Sequence, residues 1–392
     1  MRILDARWRD LRHASRQLLA NRGFASAAVV SLALGIGALV LLRAIEGRDG
    51  RMARGGENNG FVDPESGRNS TTSFSFLTFE RIAWPSLDAS IRPAASVGRQ
   101  NDSGRSPLAE RVRRLTRDSR WQLVRSVPIK FKTYHPQGMA KIGETLFVSS
   151  VEVKTPTKRL SAPDGRYDRD PGEGTGHLFK LDMAGNLLAD LTLGEETMYH
   201  TGGIDYDGAD IWVPVAEYRP DSRSIVYRVD PNTMKATEVL RFADHLGAIV
   251  HDTVDRSLHA VSWGSRRFYR WPLAGDRRVT GAEPRRSLNT SHYLDYQDCK
   301  YVGRRQMLCT GVTEMRRERE ATPFRLGGID LVSLEDGRPL HQVPVPLWTA
   351  SGLDMTHNPV WIEPTASGLR GYFMPEDDES TLYIYEVGTG DP

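Results

Sequence analysis

One opening pattern, met five times between residues 135 and 373, restricts the fold more than any other feature of this chain. Each occurrence is a short strand run, a Gly- or Asp-containing turn, and a second apolar run. His135-Pro136-Gln137-Gly138-Met139 turns at Gly143 and returns as Thr145 to Ser150. His200-Thr201-Gly202-Gly203-Ile204 turns at Asp207-Gly208 and returns as Ile211-Trp212-Val213. Ile249-Val250-His251-Asp252 turns near Asp255-Arg256 and returns as Leu258 to Trp263. His292-Tyr293-Leu294 turns near Val302-Gly303, and His357-Asn358-Pro359-Val360-Trp361 near Ser367-Gly368. Third and fourth strand runs follow in several units, such as Ser224 to Val229 and Leu187 to Leu193.

Units of about 40 to 65 residues with up to four short strands have the period of a β-propeller. No strong 3.6-residue period follows residue 120. The expected fold is therefore all-β, a propeller of five or six blades over residues 119–392. Trp121 to Lys132 has strand character. It is expected to supply the last strand of the blade begun at His357 and so lock the ring. A β-sandwich is the alternative, but it leaves the shared opening of the units unexplained.

Two segments precede the propeller. From Gly23 to Leu42 no residue is charged, and about 20 helical residues span the hydrocarbon of a bilayer. Arg2, Arg7, Arg9, Arg12, Arg16 and Arg22 lie before it, against Asp5 and Asp10. This bias predicts a transmembrane helix with a cytoplasmic N-terminus in a bacterial inner membrane, and a periplasmic or extracellular propeller. A cleaved signal peptide is the alternative. Residues 1–48 are thus read as a basic helix and anchor, and residues 49–118 as a polar, flexible linker. In that linker Arg111, Arg113, Arg114 and Arg117 form either a lipid-facing tract or a solvated face.

Two resemblances add to this reading. DLRHASRQLLANRGFASAAVVSLALGIGALV, from Asp10 to Val40, resembles the opening of MacB-type permeases, especially the orphan permeases of acidobacteria. Ser73 to Arg81 resembles the start of their periplasmic domain. That family needs further membrane helices, and this chain has no second apolar run of adequate length. The segment is read as a borrowed anchor. The second resemblance covers residues 130–390, through YHPQGM, YHTGGIDYDG, IWVPVAEYRPDS, LGAIVHDT and SWGSRRFYRW. It is to an uncharacterised bacterial and fungal domain-of-unknown-function family, and it implies a propeller without a known activity. More broadly, the chain is similar to gluconolactonase-type and streptogramin-lyase-type propellers.

In a propeller, the start of strand one and the end of strand two of each blade share a face. Here the starts carry His135, His200, His251, His292 and His357. The ends carry Glu152, Glu217 with Arg219, Arg266, Glu314, and Glu376 with Asp377. A ring of five imidazoles suits a divalent metal, with a carboxylate completing the shell. Without metal, His200 or His251 is a candidate general base beside Glu217, and Arg219 a candidate oxyanion partner. His135, His292, His357, Arg266, Asp252 and Glu152 are the further candidates for holding a ligand. The structural alternative is that each histidine only hydrogen-bonds a neighbouring blade.

The exclusions are firmer. A net charge of +2 gives no general attraction to nucleic acid. No HExxH and no Gly-x-Ser-x-Gly occurs. Cys299 and Cys309 flank one turn and are either bridged or free. Three functions fit: a metal-assisted hydrolase or lyase for a small polar or sugar-like substrate, a non-catalytic propeller binding a ligand or protein partner, or a truncated permease-related subunit of an ABC transporter.

Overall fold

A computed structural model describes residues 107–389, apart from 282, 317 and 319–322. The expected membrane helix at 23–42, the permease-like start and most of the linker lie outside the described residues. Among the described residues no helix is long and apolar enough to cross a membrane.

The chain folds as a five-bladed β-propeller. Blade I pairs His135–Ile142, Thr145–Thr155, Glu173–Asp182 and Leu187–Leu193 in that order. Blade II has an inner strand in two pieces, Met198–Thr201 and Asp205–Tyr206, followed by Ile211–Glu217, Ser224–Val229 and Ala236–Phe242. Blade III comprises Leu246–Asp252, Ser257–Ser262, Arg267–Pro272 and Arg285–Leu288. Blade IV comprises Asp295–Tyr301, Gln306–Met315, Phe324–Ser333 and Pro339–Val345. Blade V takes Val360–Pro364, Gly368–Phe373 and Thr381–Gly388 from the end of the chain, and its outermost strand, Trp121–Pro128, from the beginning. Trp121 pairs with Val387 and Pro128 with Thr381. The closing strand is thus the one the sequence suggested.

Burial follows the radial order. Every residue of Ile211–Glu217 is buried, whereas the outer strand Leu187–Leu193 is exposed or half-buried except at Leu193. Turns are tied by aspartates: Asp182, Asp207, Asp230 and Asp252 each accept backbone N–H groups two to four residues ahead. The core divides into five clusters, and each lies between two neighbouring blades. Phe147 and Leu178 meet Ile211 and Val213 between blades I and II. Trp212 and Val226 meet Leu258 and Trp271 between II and III. The other three join III to IV, IV to V, and V to I. No blade could bury both faces alone.

Residues 107–115 correct the expected linker. Pro107–Val112 is a short helix, and Ala109, Val112 and Leu115 are buried in the cluster between blades IV and V. Arg111 donates to the Gly368 carbonyl at 2.8 Å, so it belongs to this dock and not to a free basic face. Cys299 and Cys309 face each other on adjacent strands of blade IV and are bridged.

The centre is held by Asp298 of blade IV. Its carboxylate accepts the Met139 N–H of blade I at 2.8 Å and the Ile204 N–H of blade II at 3.1 Å. Lys300 donates to the same carboxylate and to the Ile204 carbonyl. Glycine makes the approach possible: a Cβ on Gly138 would meet Ile204 N at 2.5 Å, and one on Gly203 would meet Gln297 O at 2.7 Å.

Asp205 lies in the same buried cluster and accepts the His251 and Tyr301 N–H groups. Two carboxyls share one ammonium there. Burial pushes Asp205 up to about 7, with Lys300 opposing. Burial also raises Asp298, but its contact with Lys300 favours the charged form there. We therefore place the extra proton on Asp205. The folded chain keeps that proton to about pH 7, whereas an unfolded aspartate loses it near pH 4. Stability from this group is full below about pH 4 and falls as pH rises towards 7. Asp205→Asn is expected to flatten that fall by about 2 to 4 kcal/mol. Urea unfolding of both proteins at pH 5 and pH 8 checks it. Equal pH slopes in the two would remove Asp205 from the account.

Candidate functional site

The starts of the inner strands converge on a cavity of about 320 Å³ at one face of the propeller. Four imidazoles line it: His135 from blade I, His200 from blade II, His245 from just before the inner strand of blade III, and His357 from just before that of blade V. Blade IV contributes Asp295, Tyr296 and Gln297 instead of a histidine.

Two of the five expected histidines are elsewhere. His251 is six residues beyond His245 on the same strand, which at about 3.3 Å per residue puts it about 20 Å away, on the opposite face. The position equivalent to His200 is His245. The shared signal is His-x-Gly, in His200-Thr201-Gly202 and His245-Leu246-Gly247. His292 does not line the cavity; its Nδ1 takes a bond from Arg266 at 2.7 Å. The five-histidine metal ring is therefore corrected. Among the described residues no three His, Cys, Asp or Glu side chains come together as a metal shell.

The rings are packed, not splayed. His200 stacks on Tyr218 at 4.2 Å between centroids, and His245 meets the Trp263 ring edge to face at 4.8 Å. Burial, with His245 and His135 nearby, drives His200 well below the usual imidazole range. Burial likewise pushes His245 down to about 4, although its bond to the Glu217 carbonyl opposes this. Burial and Arg325 lower His357. These three rings are neutral at pH 7. Nδ1–H of His245 donates to the Glu217 carbonyl at 2.9 Å, which leaves Nε2 as an acceptor. His135 differs, because its Nδ1 lies 2.8 Å from Asp377 Oδ1. Burial would raise Asp377, but the bonds from His135 and Asn358 outweigh it and hold the carboxyl low. Among the described residues, three buried polar atoms of these lining residues have no partner: His200 Nδ1, His357 Nδ1 and Asn358 Oδ1.

The other expected site residues brace this arrangement. Glu217 is buried, and its carboxylate accepts from Arg219 at 2.7 Å, Arg223 at 2.8 Å and Thr197 at 2.8 Å. Burial would raise it, but those donors hold it below the usual range. With every acceptor position engaged, it is a poor general base. Arg219 lies 3.5 Å over the Tyr167 ring and is committed to Glu217. Arg266 donates to Asp295 at 3.2 Å and to the Ser291 carbonyl, tying blade III to blade IV. Glu152 pairs with Lys154 at 3.6 Å in a neighbouring cavity that shares His135 and Tyr218. Asp252 ties a turn on the opposite face. Sequence reasoning missed His245, Tyr218 and Trp263.

A hairpin inserted in blade I, Arg159–Asp164 with Tyr167–Arg169, reaches this rim. Arg166 donates to the Ser222 carbonyl of blade II at 3.1 Å, and Arg169 lies 5.4 Å over Trp263 of blade III.

Glu217→Gln removes the charge that holds Arg219 and Arg223 and keeps the carbonyl behind His245. It is expected to cost about 2 to 4 kcal/mol, because two guanidiniums lose a buried carboxylate. The His245 imidazole resonance should shift with it. An unchanged unfolding midpoint would show that Glu217 braces nothing.

Three comparisons bear on this geometry. No curated protein matches the chain. Solved structures match at low similarity. A luciferin-regenerating enzyme is 10% identical, with a TM-score of 0.36, over 67% of this chain and 95% of its own. The tail fibre of Staphylococcus aureus phage P68 is 10% identical, with a TM-score of 0.38, over 70% of this chain and 53% of its own. Kuenenia stuttgartiensis hydrazine synthase is 12% identical, with a TM-score of 0.31, over 64% and 65%. A family model described as a family of unknown function, DUF6454, matches residues 94–389, which span the whole propeller. The chain therefore belongs to the DUF6454 family of unknown function.

Proposed function

We propose that the imidazole-lined cavity binds a small, uncharged, ring-bearing polar molecule of the sugar or sugar-lactone kind. One observation carries this reading: His200, His357 and Asn358, each with a buried polar atom that has no partner among the described residues, line a cavity that also presents Tyr218 and Trp263. Unpaired buried polar groups are costly, and a ligand's hydroxyls would complete them. Neutral imidazoles accept or donate without demanding a charge. Aromatic faces suit the apolar face of a polar ring.

The pair His135–Asp377 favours catalysis at the same place, by hydrolysis or elimination. Asp377 fixes the ring through Nδ1 and leaves Nε2 to act as a base. The metal-assisted form is not retained, since no metal shell assembles among the described residues. A non-catalytic binding propeller differs in that the same ligand would bind without turnover.

Calorimetry of the full chain against neutral monosaccharides and sugar lactones tests this. At least one compound is expected to bind, with Trp263→Ala and His200→Ala each weakening it tenfold or more. His135→Asn should spare binding and abolish any turnover. No binding across the panel, or binding indifferent to Trp263 and His200, would sink the reading.

Export across an inner membrane, with residues 23–42 as anchor, is proposed on the sequence alone and supported by the buried Cys299–Cys309 bridge. Such bridges persist in oxidising compartments. Protein denatured without reductant is expected to take up no thiol alkylator at either cysteine. Full labelling of both in freshly lysed cells would count against export.

A further inference from the structure

On the face opposite the imidazole cavity, blades II and III enclose a second cleft of about 280 Å³. We propose that this cleft binds a phosphate group, presented by inorganic phosphate or a phosphate monoester. His251, Thr253, Arg256 and Arg277 line it, with Asp207 behind.

His251 is 5% exposed and fixed in the wall. Its Nδ1 lies 2.7 Å from Asp207 Oδ2, which also accepts the Trp212 indole N–H at 2.9 Å. With Nδ1–H given to Asp207, Nε2 is the ring atom left for a ligand. The rest of the lining supplies donors. Arg277 gives one nitrogen to Asp210 at 2.5 Å and lies 3.5 Å from Asp207; its other nitrogens have no protein partner among the described residues. Arg256 has no side-chain partner among the described residues. Arg228 also pairs with Asp210, at 3.2 Å. Of the two guanidiniums lining the cleft, Arg277 is engaged with Asp210 and Arg256 is the one without a side-chain partner among the described residues.

Hydrogen phosphate matches the set. Its oxygens accept from the guanidiniums and from the Thr253 hydroxyl, and its P–OH donates to His251 Nε2. Sulfate matches the donors but has no proton for Nε2.

The test is calorimetry of the full chain with sodium phosphate, sodium sulfate and sodium chloride at pH 7 and constant ionic strength. Phosphate is expected to bind at least fivefold tighter than sulfate, and chloride not at all. Arg256→Ala, at an exposed and unpaired side chain, should weaken phosphate tenfold or more without changing the unfolding midpoint. His251→Ala should bring phosphate down to the level of sulfate. His245→Ala, on the other face, should leave phosphate binding unchanged. No phosphate-specific heat, indifference to Arg256→Ala, sulfate binding as tightly as phosphate, or loss in His245→Ala would each overturn the proposal. A glucose 6-phosphate titration then separates the sources: binding equal to that of free phosphate assigns the site to the phosphate group itself.

Discussion

A single buried carboxylate sets the geometry of the propeller centre. Asp298 reaches from blade IV to backbone N–H groups of blades I and II, and Lys300 neutralises it from the same strand. Taking such a pair out of water is unfavourable, and it is tolerated only where every bond is made. Here the bonds run to backbone, so they fix where strands begin as well as which side chains meet. His135 lies four residues before Met139, and His200 four before Ile204. Once those strand positions are pinned to Asp298, the imidazoles above them have little choice of place. The hydrophobic clusters between blades supply the bulk of the favourable burial, but they do not specify this register alone.

How much of this was legible in the chain depends on what each signal reports. Strand period, turn residues and the common opening are local, and they yielded the propeller and its closing strand. Blade number followed only from pairing, since the sequence left five or six open. The site was half legible. His135, His200 and His357 were found because they stand just before or at the start of a recognisable strand run. His245 was missed because the third unit was aligned on its turn, which drew attention to His251 at the far end of the same strand. Glu217 and Arg219 looked like catalytic groups by position. Nothing local reveals that Arg223 and Thr197 fold back to saturate the carboxylate. Tyr218 and Trp263 were invisible as site residues, because an aromatic at a strand end looks the same whether it walls a cavity or covers a core.

The two faces differ in chemical character. Around the mouth three buried imidazoles are neutral, the carboxylates are either engaged or peripheral, and aromatic rings fill the gaps. At the opposite face arginines stand on turns above a His–Asp pair. One ring of strands can carry two unlike surfaces because alternate loops emerge on alternate faces, and each set varies without disturbing the other.

The closing strand has a consequence for biogenesis. Trp121–Pro128 is made early, yet its partner, Thr381–Gly388, is the last strand of the chain. Until translation reaches that point the early strand has no ladder to join, and blades I and V each expose an uncovered face. Loop closure of this span is among the slower routes to a native contact. A chain released before the Thr381–Gly388 strand is made is therefore an open ring with unpaired edges, a substrate for chaperones and proteases.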